Sequence, residues 1–199
     1  MKSLKNYIQE KLIIKKSKYN YFPKTKEELK DIIAQRIKQG GNAVNLNDID
    51  VSNIKDMSHL FEDTNFKGDI SNWNVSNVTN MYQMFCGCIK FNQDISSWNV
   101  LNVVNMSSMF YDCKSFNQDI SDWDVSKVTN MYDMFYSCKL FNQDISNWNV
   151  SKVTNMNAMF QECKAFNQNI SNWDVSNVKN TECMFDNCPI KEKNKPKFK

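Results

Sequence analysis

Only four glycines, three prolines and one histidine occur in 199 residues. So little glycine and proline excludes collagen-like and linker-rich chains. No apolar run approaches the ~18–20 residues of a membrane span. Nor do the first thirty residues contain the roughly 7–15 apolar residues of an export signal. Their longest apolar run, Leu12-Ile13-Ile14, is flanked by Lys11 and Lys15, and no nearby cysteine is placed to take a lipid. These absences lead us to expect a soluble protein kept inside a cell, with a virion or a host cytoplasm as the alternative location.

Leucine is also scarce, whereas Met (11), Phe (13) and Trp (5) are plentiful. The net charge of +3 conceals a division. Residues 1–40 carry eleven Lys/Arg against four Asp/Glu, and residues 189–199 carry five against one. The body between them is therefore acidic, with a basic segment at each end.

What the chain does have is a period. Tryptophan stands at 73, 98, 123, 148 and 173, always 25 residues apart. Phe66 to Phe166, Ile70 to Ile170, Val75 to Val175 and Met84-Phe85 to Met184-Phe185 repeat with it. A copy one residue shorter precedes these, with Ile49 in place of Trp, then Val51, Ile54, Met57, Leu60 and Phe61. Such self-similarity marks a repeat architecture in which no unit buries its apolar face alone and neighbours stack.

Within a unit, alternation around Trp73 and Val75 predicts a short strand. Val78, Met81, Met84/Phe85 and Cys88, at steps of three and four, predict a short helix. Phe-Asn-Gln-Asp makes a polar bend. The expectation is an α/β repeat solenoid of six strand–short-helix coils over residues 49–188. Residues 19–48 form an N-terminal cap. In it Thr25 and Glu28 form a capping box, Leu29, Ile32, Ile33 and Ile37 line one face of a helix at about 26–39, and Gly40-Gly41 stops it. Residues 1–18 read as a basic amphipathic segment, with Leu4, Ile8 and Leu12 on one side, and 189–199 as a basic C-terminal tail.

The residues that carry chemistry elsewhere have structural readings here. Cys88, Cys113, Cys138, Cys163 and Cys188 occupy one position in successive coils. Zinc sites use close cysteine pairs with a second pair nearby, and here the close pairs Cys86/Cys88 and Cys183/Cys188 lie at opposite ends. A buried rung of free thiols fits better, with Cys86 and Cys183 off the ladder and open to modification. His59 occupies a variable position on the coil-one helix, where a solvated surface residue is expected rather than half of a Cys–His pair. Asp69, Asp94, Asp119 and Asp144 supply one carboxylate per bend, too few oxygens for calcium, and read as turn-capping residues. Asn80, Asn105, Asn130, Asn155 and Asn180 read as an internal ladder that pairs buried backbone. The basic ends lack interleaved aromatics or a nucleic-acid fold, so nucleic acid is not an expected partner. No catalytic, cofactor or metal residue is assigned, and the protein is read as non-enzymatic.

If the invariant rows are core, the variable positions are surface. One variable row holds Tyr82, Ser107, Tyr132, Asn157 and Glu182, and another holds Cys86, Tyr111, Tyr136, Gln161 and Asp186. Exposed tyrosine suits interfaces because a rigid apolar ring carries a polar tip. Tyr82, Tyr111, Tyr132 and Tyr136 are therefore the candidate partner-binding patch for an unidentified protein.

The units W-N-V-S-N-V-T-N-M-Y-Q-M-F and F-N-Q-D-I-S-x-W resemble the bacterial BspA-like leucine-rich-repeat family, in its 25-residue class of mycoplasma-lipoprotein type. The resemblance covers about 49–188. The stretch P-K-T-K-E-E-L, with L-N-D-I-D-V-S-N-I-K-D-M-S-H-L-F, is similar to the opening cap of short, leaderless members. The resemblance implies a leucine-rich-repeat-like right-handed solenoid, a role in protein–protein or cell-surface contact, and no catalytic residues. M-K-S-L-K-N-Y-I-Q-E-K-L resembles leaders on proteins of large tailed phages of gut bacteria. Two functions follow as expectations: a non-catalytic protein–protein interaction scaffold, or a structural or packaged component of a phage particle held by its N-terminal segment.

Overall fold

The computed structural model describes residues 18–198. Most of the amphipathic segment expected over 1–18 lies outside this range.

Helix α1 spans Lys26–Gly40 and starts from the capping box read in the sequence. The Glu28 amide donates to Thr25 Oγ1 at 3.2 Å, and the Lys24 amide donates to the Glu28 carboxylate at 2.7 Å. Gly41, at φ 74°, ends the helix, and its amide donates back to the Ile37 carbonyl. Leu29 and Ile33 are buried against the first coil. Lys26 Nζ reaches Asp56 at 2.8 Å and Ser58 Oγ at 2.9 Å.

The six strand–short-helix coils do not form. Among the described residues α1 is the only α-helix, joined by a 3-10 turn at Glu192–Asn194, and no extended strand is present. Coils meet instead through single-residue parallel bridges, Asp56–Asn80, Asn80–Asn105, Asn105–Asn130, Asn130–Asn155 and Asn155–Asn180. The α/β, leucine-rich-repeat solenoid reading is thereby overturned. A stack with a 25-residue period remains, built from turns.

The misleading signal has a physical origin. In coil two, the Trp73 amide donates to the Ile70 carbonyl, Val78 to Val75, Met84 to Met81, Cys88 to Phe85 and Phe91 to Cys88. Each of these turns begins and ends on a core residue. Apolar side chains three apart therefore mark turn ends, and they imitate a helical stripe. A continuous helix is excluded because every coil holds two left-handed residues four apart. His59, Gln83, Ser108, Asp133, Ala158 and Cys183 form one such row; Asp63, Gly87, Asp112, Ser137, Glu162 and Asn187 form the other. α-Helix needs negative φ at every position.

Side chains reinforce the turns. Three Asx turns recur in each full coil: in coil two Asn74 accepts from the Ser76 amide and Asn80 from Tyr82, and in the bend Asp94 accepts from Ser96. An Asn or Asp that bonds backbone two residues ahead competes with helix and strand alike.

The core is a set of parallel ladders. Phe61, Phe85, Phe110, Phe135, Phe160 and Phe185 stack at 5.5–5.9 Å between ring centres. A second phenylalanine in the same coil lies closer, as with Phe85 and Phe91 at 4.0 Å. Each fully buried Phe or Met contributes about 1.5–3 kcal/mol before entropy. Every tryptophan indole N–H donates to a carbonyl of the preceding turn, as Trp123 does to Ile95 at 3.2 Å.

Residues 189–198 fold back over the last coil. Ile190 and Pro196 are buried, the Ile170 amide donates to the Asn194 carbonyl at 2.9 Å, and Asn194 Nδ2 donates to the Asn167 carbonyl. Asn194 thus copies the Gln143 and Gln168 amides, which donate to Asn117 and Asn142 one coil earlier.

Candidate interaction face

The turns between Met81 and Cys88, repeated through the coils, present the variable rows as one face. Tyr111 and Tyr136 occupy the same position in consecutive coils and stack at 4.6 Å with planes 4° apart. Both are half-buried. Tyr132 is 40% exposed. Tyr82 is half-buried and meets the His59 imidazole edge-to-face at 4.9 Å. Three of the tyrosines thus fall in coils three and four, while Tyr82 lies one coil forward beside His59.

Sequence reasoning missed Asp133, which adjoins the exposed Tyr132 and is itself buried. Its carboxyl is pushed above the ordinary carboxylate range by burial, and a hydrogen bond from Tyr132 partly counters that. The same bond to Asp133 raises the Tyr132 phenol. A single Asp at a position occupied elsewhere by Gln83, Ser108 and Ala158 gave no periodic signal.

Four positions per coil make this face, those of Tyr82, Gln83, Cys86 and Gly87. Over six coils they hold Glu62, Asp63, Asp112, Asp133, Glu162, Glu182 and Asp186, and no Lys or Arg. Lysines flank it one step away. Lys114 pairs with Asp112 at 3.1 Å and Lys164 with Glu162 at 2.7 Å. At coil four the corresponding Lys139 stands beside Ser137 instead.

His59 lies in a turn rather than a helix, with φ 57°. Its Nδ1 is 2.7 Å from Glu62 Oε2, so the ring is held by a carboxylate and an aromatic edge, not by a thiol.

All seven cysteines are free. The ladder thiols are more than small apolar groups. Cys88 donates to the Phe61 carbonyl at 2.9 Å, Cys113 to Phe85, Cys138 to Phe110 and Cys163 to Phe135. Burial pushes Cys88 up to about 11 and the next three well above the ordinary thiol value. Cys86, expected to be open to modification, is buried, and burial with Glu62 and Asp63 nearby pushes it up to about 12. Cys183 is exposed, and its thiol is raised chiefly by its hydrogen bond with Asp186.

The Asp69, Asp94, Asp119 and Asp144 carboxylates cap turns, each accepting the amide of the serine two residues on at 2.9 Å. The Asn80-to-Asn180 row supplies the inter-coil bridges, and Asn80, Asn105, Asn130 and Asn155 also cap turns. The basic ends are partly tied to the acidic body: Arg36 bonds Asp48 and covers the Tyr21 ring, and Lys195 stands over the Phe185 ring at 5.5 Å. No helix among the described residues is long and apolar enough to cross a membrane.

A family model described as "Mycoplasma protein of unknown function, DUF285" matches residues 29–136 and 118–198. No curated protein and no solved structure matches the chain significantly. The match supports the mycoplasma-type relationship read from the repeat, without the narrower BspA-like leucine-rich-repeat class.

Proposed function

Because the chain belongs to the DUF285 family, whose description assigns no activity, we propose from its own surface chemistry that it is a non-catalytic protein–protein interaction scaffold. One observation carries this reading: Tyr111 and Tyr136 stack in register beside the exposed Tyr132, on a face built by two successive coils. Aromatic rings fixed before a partner arrives lose little entropy on binding, and tyrosine is enriched where interfaces concentrate their energy.

The non-catalytic part is supported by how the reactive side chains are engaged. The ladder thiols are neutral donors to carbonyls in the core, and His59 is bound to Glu62. The same donation supports residence in a reducing compartment, since only a reduced thiol can make it.

Replacing Tyr82, Tyr111, Tyr132 and Tyr136 together with Ser tests the reading. Partners recovered from the native host by the parent protein should be lost, while the melting transition of the variant persists. Retained binding by the folded variant would move the site off this face.

A further inference from the structure

At each of the five coil junctions four backbone amides cross to the next coil. Met81, Gln83, Phe85 and Gly87 donate to the carbonyls of Asn105, Ser107, Met109 and Tyr111, and every other junction repeats the pattern. In the last coil the same amides belong to Thr181, Cys183, Phe185 and Asn187. None of the four has a hydrogen-bond acceptor among the described residues.

The C-terminal segment does not close this edge. Its hydrogen bonds go instead to the bend at Asn167 and Ile170, through Lys191 and Asn194. Beside the edge it leaves an open recess of about 330 Å³, floored by Met184 and Phe185 and walled by Lys195 and Pro196. The Phe185 ring, which a following coil would cover with its own phenylalanine, carries only the Lys195 ammonium.

We propose that the edge formed by residues 181–187 docks a segment of a protein partner that follows the same succession of turns as a coil, running parallel to it and supplying carbonyls at alternate residues with an apolar side chain over Phe185. The argument is continuity: this edge is a sixth copy, in register, of an interface the molecule already makes five times. An edge of unpaired amides is a template for strand addition.

A second copy is a poorer occupant. Its like edge offers the same four donors and no matching carbonyls. The complementary edge, on the first coil, is occupied by α1, which contacts Ser58 and packs its Leu29 and Ile33 there. This edge is the rear end of the same face but holds none of the four tyrosines, so it stands or falls without them.

The test titrates the full chain, under reducing conditions, with a synthetic peptide of residues 153–163. That segment accepts the coil-four amides in the intact protein. Amide chemical shifts and hydrogen exchange are read by NMR. The expected result is saturable shifts at Thr181, Cys183, Phe185 and Asn187. With peptide at about ten times its Kd, exchange at these four should slow roughly tenfold. No shift at these amides with peptide at about 1 mM, the weak limit of useful affinity, overturns the proposal. So do shifts that grow with protein concentration alone, which would make a second copy the occupant.

Discussion

The two ends of the stack are finished differently. At the front, α1 lies over the first coil, and Phe61 beneath it is fully buried between Phe66 at 4.2 Å and Phe85 at 5.5 Å. At the rear, Phe185 is half-buried and stacks only on Phe160, because Lys191 stands where a second phenylalanine would fall. Thr181 replaces a buried methionine there, and Val178 is only partly covered, whereas Val153 is buried. Since each coil touches only its neighbours, terminal coils owe their order to whatever caps them. A helix capped by its own side chains closes one end, while a ten-residue segment closes half of the other.

Thiol chemistry separates the ends most widely. Cys86, near the front, is buried and held protonated; Cys183, at the rear, is exposed. In the native protein a thiol reagent should label Cys183 first and the half-buried Cys188 next. The other five should wait for unfolding, which at a populated fraction of about 10⁻³–10⁻⁶ slows them by the same factor. Labelling of Cys183 should accelerate as pH rises toward its raised value, because the thiolate is the nucleophile. Mass mapping of the labelled sites checks this. Cys86 reacting alongside Cys183 would mean that the front coils open as readily as the rear.

Packing gives the next largest contrast. Phe61→Ala should cost about 3–5 kcal/mol, as expected for a fully enclosed aromatic. Phe185→Ala should cost clearly less, since one face of that ring has no coil above it. Urea melts of the two variants measure the difference. Equal losses would show that the C-terminal segment completes the rear core as well as α1 completes the front.

How much of this was legible depends on what repeats. Rows that recur every 25 residues identified the buried side chains correctly, from Trp73 to Trp173 and from Phe66 to Phe166. Local chemistry identified α1, because Thr25, Glu28 and Gly41 act on backbone within a few residues. The element type was misread because core residues at the two ends of an i to i+3 turn share the helix's spacing. Nothing in that spacing encodes the left-handed backbone at Gln83 and Gly87. In the second left-handed row Gly87, Asn187, Asp63 and Asp112 are types that tolerate this conformation, whereas Ser137 and Glu162 adopt it without a residue-type hint. The fold-back of 189–198 was illegible for a different reason: it occurs once, so periodicity has nothing to say about it. The tyrosine rows were found as variable positions, whereas the stacking of Tyr111 on Tyr136 needed the coils to be in register.

Acid should reveal the smallest difference between front and rear. Asp69, Asp94, Asp119 and Asp144 cap the same turn in successive coils, and at the rear Asn169 accepts the Ser171 amide at 3.2 Å in their place. The Asp119 carboxyl is held below its ordinary value by the Ser121 amide first and the Ser121 side chain second, with desolvation opposing. A carboxyl depressed in the folded state contributes stability that is present above its unfolded pKa and is lost as pH falls through the folded value. Asp119→Asn keeps the turn acceptor and removes the titration. It should therefore change stability at pH 7 by no more than about 0.5 kcal/mol, as for an exposed site. The gap between variant and parent should close as pH drops below the carboxylate range. Asn169→Asp should do the reverse and extend the acid sensitivity to the rear coil. Melting temperatures of both variants from pH 2 to pH 7 test the pair. A gap that stays constant with pH would show that the carboxylate charge contributes nothing to these turns, and that their geometry alone sets front and rear apart.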